Sequence, residues 1–243
     1  MPENHFGEEV AARYDDSTGE EFESAVVERT VDFLAALAGG GAALELAIGT
    51  GRIAVPLSQR GVRVHGIDLS EAMVARLREK PGAEAIAVTV GDIATTRVDG
   101  SFSLVYLVFN TIGNLTTQDA QVACFQNAAS HLELGGCFVI ELGVPELRRL
   151  PPGERFVIFD KSDGHVGLDE YEPAEQGLVS HHYSRREDGR FDYASLPFRY
   201  AWPAELDLMA RLAGMRLRER WADWDRSPFT GESPKHVSVW ERP

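Results

Sequence analysis

Cysteine is almost missing. Cys124 and Cys137 are the only two in 243 residues, each within an apolar segment, so no disulfide framework is expected and both read as small buried hydrophobes. Positive charge is also scarce: 24 Lys and Arg face 38 Asp and Glu, for a net charge of −14. Such a surface repels a phosphate backbone unless its basic residues gather on one face, and no such cluster is present, so nucleic acid is not expected as a partner. No apolar run approaches the roughly 20 residues that cross a bilayer, which excludes a membrane reading. The start, Met1-Pro2-Glu3-Asn4-His5, has neither a basic region nor an apolar stretch after it, so no secretory leader is expected and cytoplasmic residence is.

What is present is alternation. Residues 20–38 carry Phe22, Val26, Val27, Val31, Leu34 and Leu37 at helical spacing, and Gly39-Gly40-Gly41 stops the pattern. Strands are then expected at 42–47, 62–67, 85–90, 102–109 and 137–142, with helices at 52–60, 71–80 and 118–132 between them. Near-continuous apolar strands alternating with helices imply a parallel sheet covered on both faces. After Leu142 the texture changes. Pro145, Pro151, Pro152 and Gly153 break the chain before aromatic and β-branched segments at 155–159, 165–171, 178–184 and 191–202, separated by turn pairs such as Asp163-Gly164 and Asp188-Gly189. These read as antiparallel hairpins over one end of the core. A helix at 203–213 and strands at 214–224 and 236–241 follow. The expected division is an N-terminal helical lid (1–41), a core (42–143), a β insertion (144–202) and a C-terminal part completing the core (203–243).

Three motifs carry chemistry. Leu44-Glu45-Leu46-Ala47-Ile48-Gly49-Thr50-Gly51 runs a buried strand into a glycine turn and a helix, a geometry that lets the backbone approach a ligand at a helix N-terminus. Gly66-Ile67-Asp68-Leu69-Ser70 places a carboxylate at the end of the next strand, suited to ribose hydroxyls. An Asp before Ser is equally a pair that caps the helix beginning near Glu71. Val90-Gly91-Asp92-Ile93 adds another carboxylate beside an apolar residue where an adenine ring fits.

In this order, across residues 42–142, the motifs resemble those of class I S-adenosylmethionine-dependent methyltransferases of the small-molecule type, including bacterial amino-sugar N-methyltransferases. The resemblance implies a Rossmann-like three-layer α/β sandwich, with a mostly parallel seven-stranded sheet and an antiparallel β-hairpin insertion after the fifth strand. It implies S-adenosylmethionine as cofactor, S-adenosylhomocysteine as product, and transfer of a methyl to a nitrogen or oxygen of a small molecule by a monomer or homodimer. Carried over position by position, the cofactor residues are Tyr14, Glu45, Ala47, Gly49, Gly51, Asp68, Leu69, Met73, Gly91, Asp92, Ile93 and Val108. Ala47 stands where the family has a third glycine, a departure that bears on how closely the backbone approaches the ligand. The acceptor is expected between Tyr14, the loop from Asn110 to Asn114, and the insertion, with Arg199 facing a substrate carboxylate. Asn114 departs from the aromatic or histidine usual at that place in the amino-sugar enzymes.

Two other readings remain open. Gly49-x-Gly51-x-x-Ala54 also satisfies a dinucleotide fingerprint, so an NAD-dependent oxidoreductase is an alternative, although no Tyr is followed four residues later by Lys. A non-catalytic cofactor-binding interaction protein is the other. Methyl transfer chiefly needs an acceptor held in line with the methyl. Where a general base is used, His181 and His182 are the candidates, neighbours on a strand and so on opposite faces; His165, His5 and His236 have less claim, although the arm bearing His5 is placed to fold across the site. No compact carboxylate set lies near the reactive end of the sheet, so no metal is expected.

Overall fold

The computed structural model describes residues 4–16, 19–186 and 188–243, so Met1 to Glu3 of the start read above lie outside it. In chain order the core comprises α1 (Glu8–Arg13), α2 (Ser24–Ala38), β1 (Ala42–Leu46), α3 (Ala54–Gln59), β2 (Arg63–Asp68), α4 (Glu71–Arg78), β3 (Ala87–Val90), β4 (Phe102–Leu107), α5 (Gln118–His131) and β5 (Leu132–Gly143). Four strands follow, β6 (Phe156–Lys161), β7 (His165–Glu172), β8 (Gly177–Arg185) and β9 (Phe191–Arg199), and then α6 (Pro203–Leu212), β10 (Arg216–Trp221) and β11 (Lys235–Glu241).

Seven strands form one sheet in the order β10-β11-β5-β4-β1-β2-β3. Pairing is parallel from β3 through β5 and antiparallel where β11 and β10 join. Alternation along the strands supplies two cores. Val105, Leu107, Phe138 and Ile140 face Phe125, Leu206 and Met209 of α5 and α6, while Leu104, Tyr106 and Val139 face Leu34 and Leu57 of α2 and α3. β1 is flanked by β2 on one side and β4 on the other, so the connections diverge there and open a crevice at the strands' C-terminal ends, where open α/β sheets bind ligands.

The insertion is a second sheet, β6-β7-β8-β9, antiparallel throughout. What ties it to the core corrects an expectation. Arg199 does not face a substrate: its guanidinium, 5% exposed, donates to Gln121 Oε1 of α5 at 2.6 Å, Glu205 Oε1 of α6 at 2.7 Å and Gln176 Oε1 at 3.1 Å. Gln121 in turn donates to the carbonyls of Ile112 and Arg199.

Several elements differ from the sequence pattern, and at three of them the physical reason is plain. Residues 20–22 form a separate 3₁₀ turn before α2, which carries Phe22 toward the site. β4 stops at Leu107 because Phe109 and Asn110 adopt left-handed backbone, φ 55° and 58°. Helix α1 has only Ala11 buried, too little periodicity to show in the sequence.

Removing Arg199 leaves Glu205 with its largest counter-charge gone in a nearly closed setting. Arg199→Ala is expected to lower unfolding free energy by about 3 kcal/mol, the order seen when one partner of a buried pair is deleted. Urea denaturation measures this, and a loss below about 1 kcal/mol would show that the tie is not what docks the insertion.

Candidate functional site

The site starts from the turn after β1. Ala47, Gly49 and Gly51 all take positive φ, 58°, 57° and 76°. For Ala47 this conformation is strained, since a Cβ disfavours the left-handed region. Gly49 is open on its ligand side, where a Cβ would meet nothing nearer than Met73 Cε at 3.4 Å. Gly51 serves packing: a Cβ there would strike Leu77 Cδ1 at 2.8 Å and Val55 Cγ2 at 3.2 Å, and the residue lines none of the three hollows described below.

Asp68 closes the turn onto β2. Its Oδ2 accepts from the Gly49 N–H at 2.6 Å and its Oδ1 from the Ser70 N–H at 2.8 Å. Burial pushes this carboxyl up, and the two backbone donors offset part of that. Capping of α4 falls to Ser70, whose Oγ accepts from the Met73 N–H at 3.2 Å and donates to the Phe6 carbonyl. Asp92 similarly turns the chain after β3, accepting from the Ala94 N–H at 2.9 Å.

An N-terminal strap crosses these strand ends. Asp15 accepts from the Thr50 hydroxyl and pairs with Lys80, both at 2.7 Å. The Arg52 guanidinium donates to the Glu21 carbonyl and lies 5.1 Å and 5.7 Å from the ring centres of Phe22 and Phe109. Tyr14 packs edge-on against Phe6 and Phe22, and burial raises its phenol.

Beneath the strap lies a hollow of about 120 Å³ lined by Asn4, His5, Phe6, Tyr14, Ala47, Gly49, Asp68, Leu69, Met73, Asp92, Ile93, Thr111, Asn114 and Leu115. A deeper recess shares Tyr14, Ala47, Gly49 and Thr111 with it and adds Glu45, Thr50, Arg52, Val108 and Phe109. A surface trough with Gly91, Glu71 and Thr95 continues past Leu69 and Asp92. Of the twelve cofactor residues expected, eleven therefore line this connected space and Gly51 stands behind it. The trough adds about 940 Å³ to the hollow, so the connected space is on the scale of the roughly 300–1,000 Å³ pockets that hold small ligands.

Other expected residues lie elsewhere. Asn110 spends its side chain on the Gly143 N–H at 2.6 Å and is not in the lining, whereas Asn114 is. His181 engages Tyr193 Oη at 2.8 Å and Glu170 at 3.3 Å on one face of β8; His182 engages His165 at 3.0 Å and Ser180 at 3.2 Å on the other. Neither reaches the hollow. The histidine that does is His5. Arg52 and Phe6 were not anticipated; for Arg52 the signal available was its place directly after the glycine turn.

Among the described residues, no group of three or more His, Cys, Asp or Glu converges to hold a metal, and no helix is long and apolar enough to cross a membrane. The donor set suits a nucleoside cofactor. Asp68 spends one lone pair of each oxygen on the backbone and keeps the others toward the hollow, Leu69, Met73 and Ile93 form an apolar wall, and Gly49 leaves room for close approach.

A parallel sheet with a glycine turn bonded to a strand-end carboxylate defines a nucleotide-cofactor-binding α/β protein. A family model described as a methyltransferase domain matches residues 43–136. The chain is 37% identical to the CcbJ methyltransferase from Streptomyces caelestis, each covered over 97% of its length, with a TM-score of 0.87. It is 26% identical over 208 residues, 84% of each chain, to the cypemycin N-terminal methyltransferase of a Streptomyces species. It also shares its fold with CalS10 from Micromonospora echinaspora, an amino pentose methyltransferase solved with S-adenosylmethionine bound: 18% identity, all of each chain, TM-score 0.72. The chain belongs to the S-adenosylmethionine-dependent methyltransferases. The nicotinamide alternative falls with that assignment.

Glu45 makes the site sensitive to pH. It accepts from the Tyr106 hydroxyl at 2.9 Å in full burial, which pushes its carboxyl up to about 8. A raised acid binds more protons folded than unfolded, so its contribution to stability is complete below the unfolded value and is lost as pH rises through the folded one. Between about pH 4.5 and about 8, the wild type should lose melting temperature through this group, and Glu45→Gln should flatten that slope. Parallel slopes in thermal melts would show that Glu45 ionises freely.

Proposed function

We propose that this methyltransferase acts on the amine nitrogen of a small molecule. The observation that carries the reading is the hollow at the strand ends, whose lining brings Asp68 and Asp92 together with Tyr14, Thr111 and Asn114. In it Asp68 holds the ribose hydroxyls, Asp92, Leu69 and Ile93 hold the adenine, Gly91 borders the adenine end, and Ala47, Gly49 and Met73 border the methionine portion. Glu45, Val108 and Tyr14, in the inner recess, take its far end. S-adenosylmethionine, when bound, supplies an already activated methyl, so the chain's task is to align the acceptor and exclude water.

Support for nitrogen comes from the relatives. One is named a cypemycin N-terminal methyltransferase and another an amino pentose methyltransferase. The hollow's lining carries carboxylates, amides and aromatic rings, a setting that tolerates a cationic amine. An acidic surface and the absence of a basic stripe support a small-molecule acceptor over nucleic acid, and we read the enzyme as a cytoplasmic monomer or homodimer.

Two measurements test this. In calorimetric titration, S-adenosylmethionine and S-adenosylhomocysteine should bind and NAD should not, with Asp68→Ala weakening S-adenosylhomocysteine by about 1–3 kcal/mol through lost charge-assisted hydrogen bonds. Unchanged affinity would remove Asp68 from the cofactor site. Incubated with isotopically labelled S-adenosylmethionine, the protein should label glucosamine or a dipeptide amine in preference to catechol. Labelling of catechol alone would move the reaction to oxygen.

A further inference from the structure

The hollow contains four titratable side chains: His5, Tyr14, Asp68 and Asp92. Three of them are committed. Asp68 holds Gly49 and Ser70, Asp92 holds Ala94, and Tyr14 is buried so that its phenol keeps its proton. The neighbouring Thr111 and Asn114 cannot take a proton near neutral pH. His5 is different. Its imidazole carries no hydrogen bond to any described residue, and its neighbour Phe6 is pinned by the Ser70 hydroxyl and by the edge of Tyr14, ring centres 6.4 Å apart. His5 and Asn114 line the same hollow of about 120 Å³, so a group lodged in it faces both.

Resting on the amine-methylation reading above, we propose that His5 is the catalytic base that takes the acceptor's proton. An amine reaches the site as an ammonium, which has no lone pair to give. The His5 imidazole accepts one N–H proton and becomes imidazolium. The freed lone pair forms the nitrogen–carbon bond to the methyl while the electron pair of the breaking sulfur–carbon bond stays on sulfur, so the sulfonium becomes a neutral thioether and the positive charge passes to the methylated nitrogen. The imidazolium then gives its proton to water, and one proton is released per turnover. Histidine suits this because it exchanges a proton nearest neutral pH of all side chains. The strap thus has a chemical part to play besides covering the cofactor, since opening it withdraws the base together with the lid.

Two readouts test the proposal, the first needing no acceptor. Carbethoxylation of His5 by diethyl pyrocarbonate, mapped by peptide mass spectrometry on the full chain, should slow at least fivefold when S-adenosylhomocysteine is present, while His181 on the insertion is unaffected. An unchanged His5 rate places the imidazole outside the site and overturns the proposal, whatever the acceptor. The second compares His5→Gln with wild type using glucosamine and the dipeptide amine. S-adenosylhomocysteine affinity should stay within twofold, kcat should fall on the order of 10²-fold, as for loss of a general base, and the acid limb of the kcat–pH profile should vanish. Wild-type kcat with an intact acid limb in His5→Gln overturns the proposal while leaving methyl transfer standing. If wild type labels none of the amines, the amine reading fails, and the modification experiment alone decides whether His5 faces the site.

Discussion

The bond from the Gly49 N–H to the Asp68 carboxylate holds the site together. It joins the turn after β1 to the end of β2 across 19 residues of chain, and it is made from a glycine in a left-handed conformation that a bulkier residue would resist. From Asp68 the constraint passes through the Ser70 N–H to the Ser70 hydroxyl, and from there to the Phe6 carbonyl of the strap. A ligand that engages Asp68 therefore acts on the same short chain of hydrogen bonds that positions the N-terminal arm. Charge reinforces this coupling. Asp68 and Glu45 are both raised by burial, and a cationic ligand entering the recess would favour their ionised forms.

Two tethers outside the turn determine what faces the hollow. Arg199, Glu205, Gln121 and Gln176 lock the insertion to α5 and α6 through a buried polar network, while the small cluster around Val157, Tyr171 and Tyr200 packs within the insertion itself. On the other side, Glu141 accepts from the Phe109 N–H and from Trp224 Nε1, both at 3.1 Å, and so fixes the left-handed step at Phe109 and Asn110. That step turns the chain after β4 so that Thr111 and Asn114 face the hollow while the Asn110 side chain is spent on β5. Strained backbone of this kind persists where surrounding bonds over-determine it.

The architecture was legible where residues repeat a period. Buried apolar strands between helices announced a parallel sheet, and the turn pairs after Leu142 announced hairpins. Asp68 was legible as a strand-end carboxylate with helix capping as the equal alternative; the cap falls to Ser70, and the bracing of Gly49 by Asp68 involves a backbone donor that no pattern displays. Arg199, Asn110, His181 and His182 carried the right functional groups, but partners that occupy them lie as far as 78 residues away in the chain or across a strand, and the local sequence does not reveal such pairings. His5 is the converse case. It sits in a segment with no periodicity and enters the site only because the Phe6 carbonyl meets a serine 64 residues later.

The central claim is that the strand-end hollow is the S-adenosylmethionine site. A crystal structure of the S-adenosylhomocysteine complex tests it most directly. The ribose hydroxyls should lie on the Asp68 carboxylate, with the adenine between Leu69 and Ile93. Ligand bound away from Asp68 and Asp92 would contradict the account.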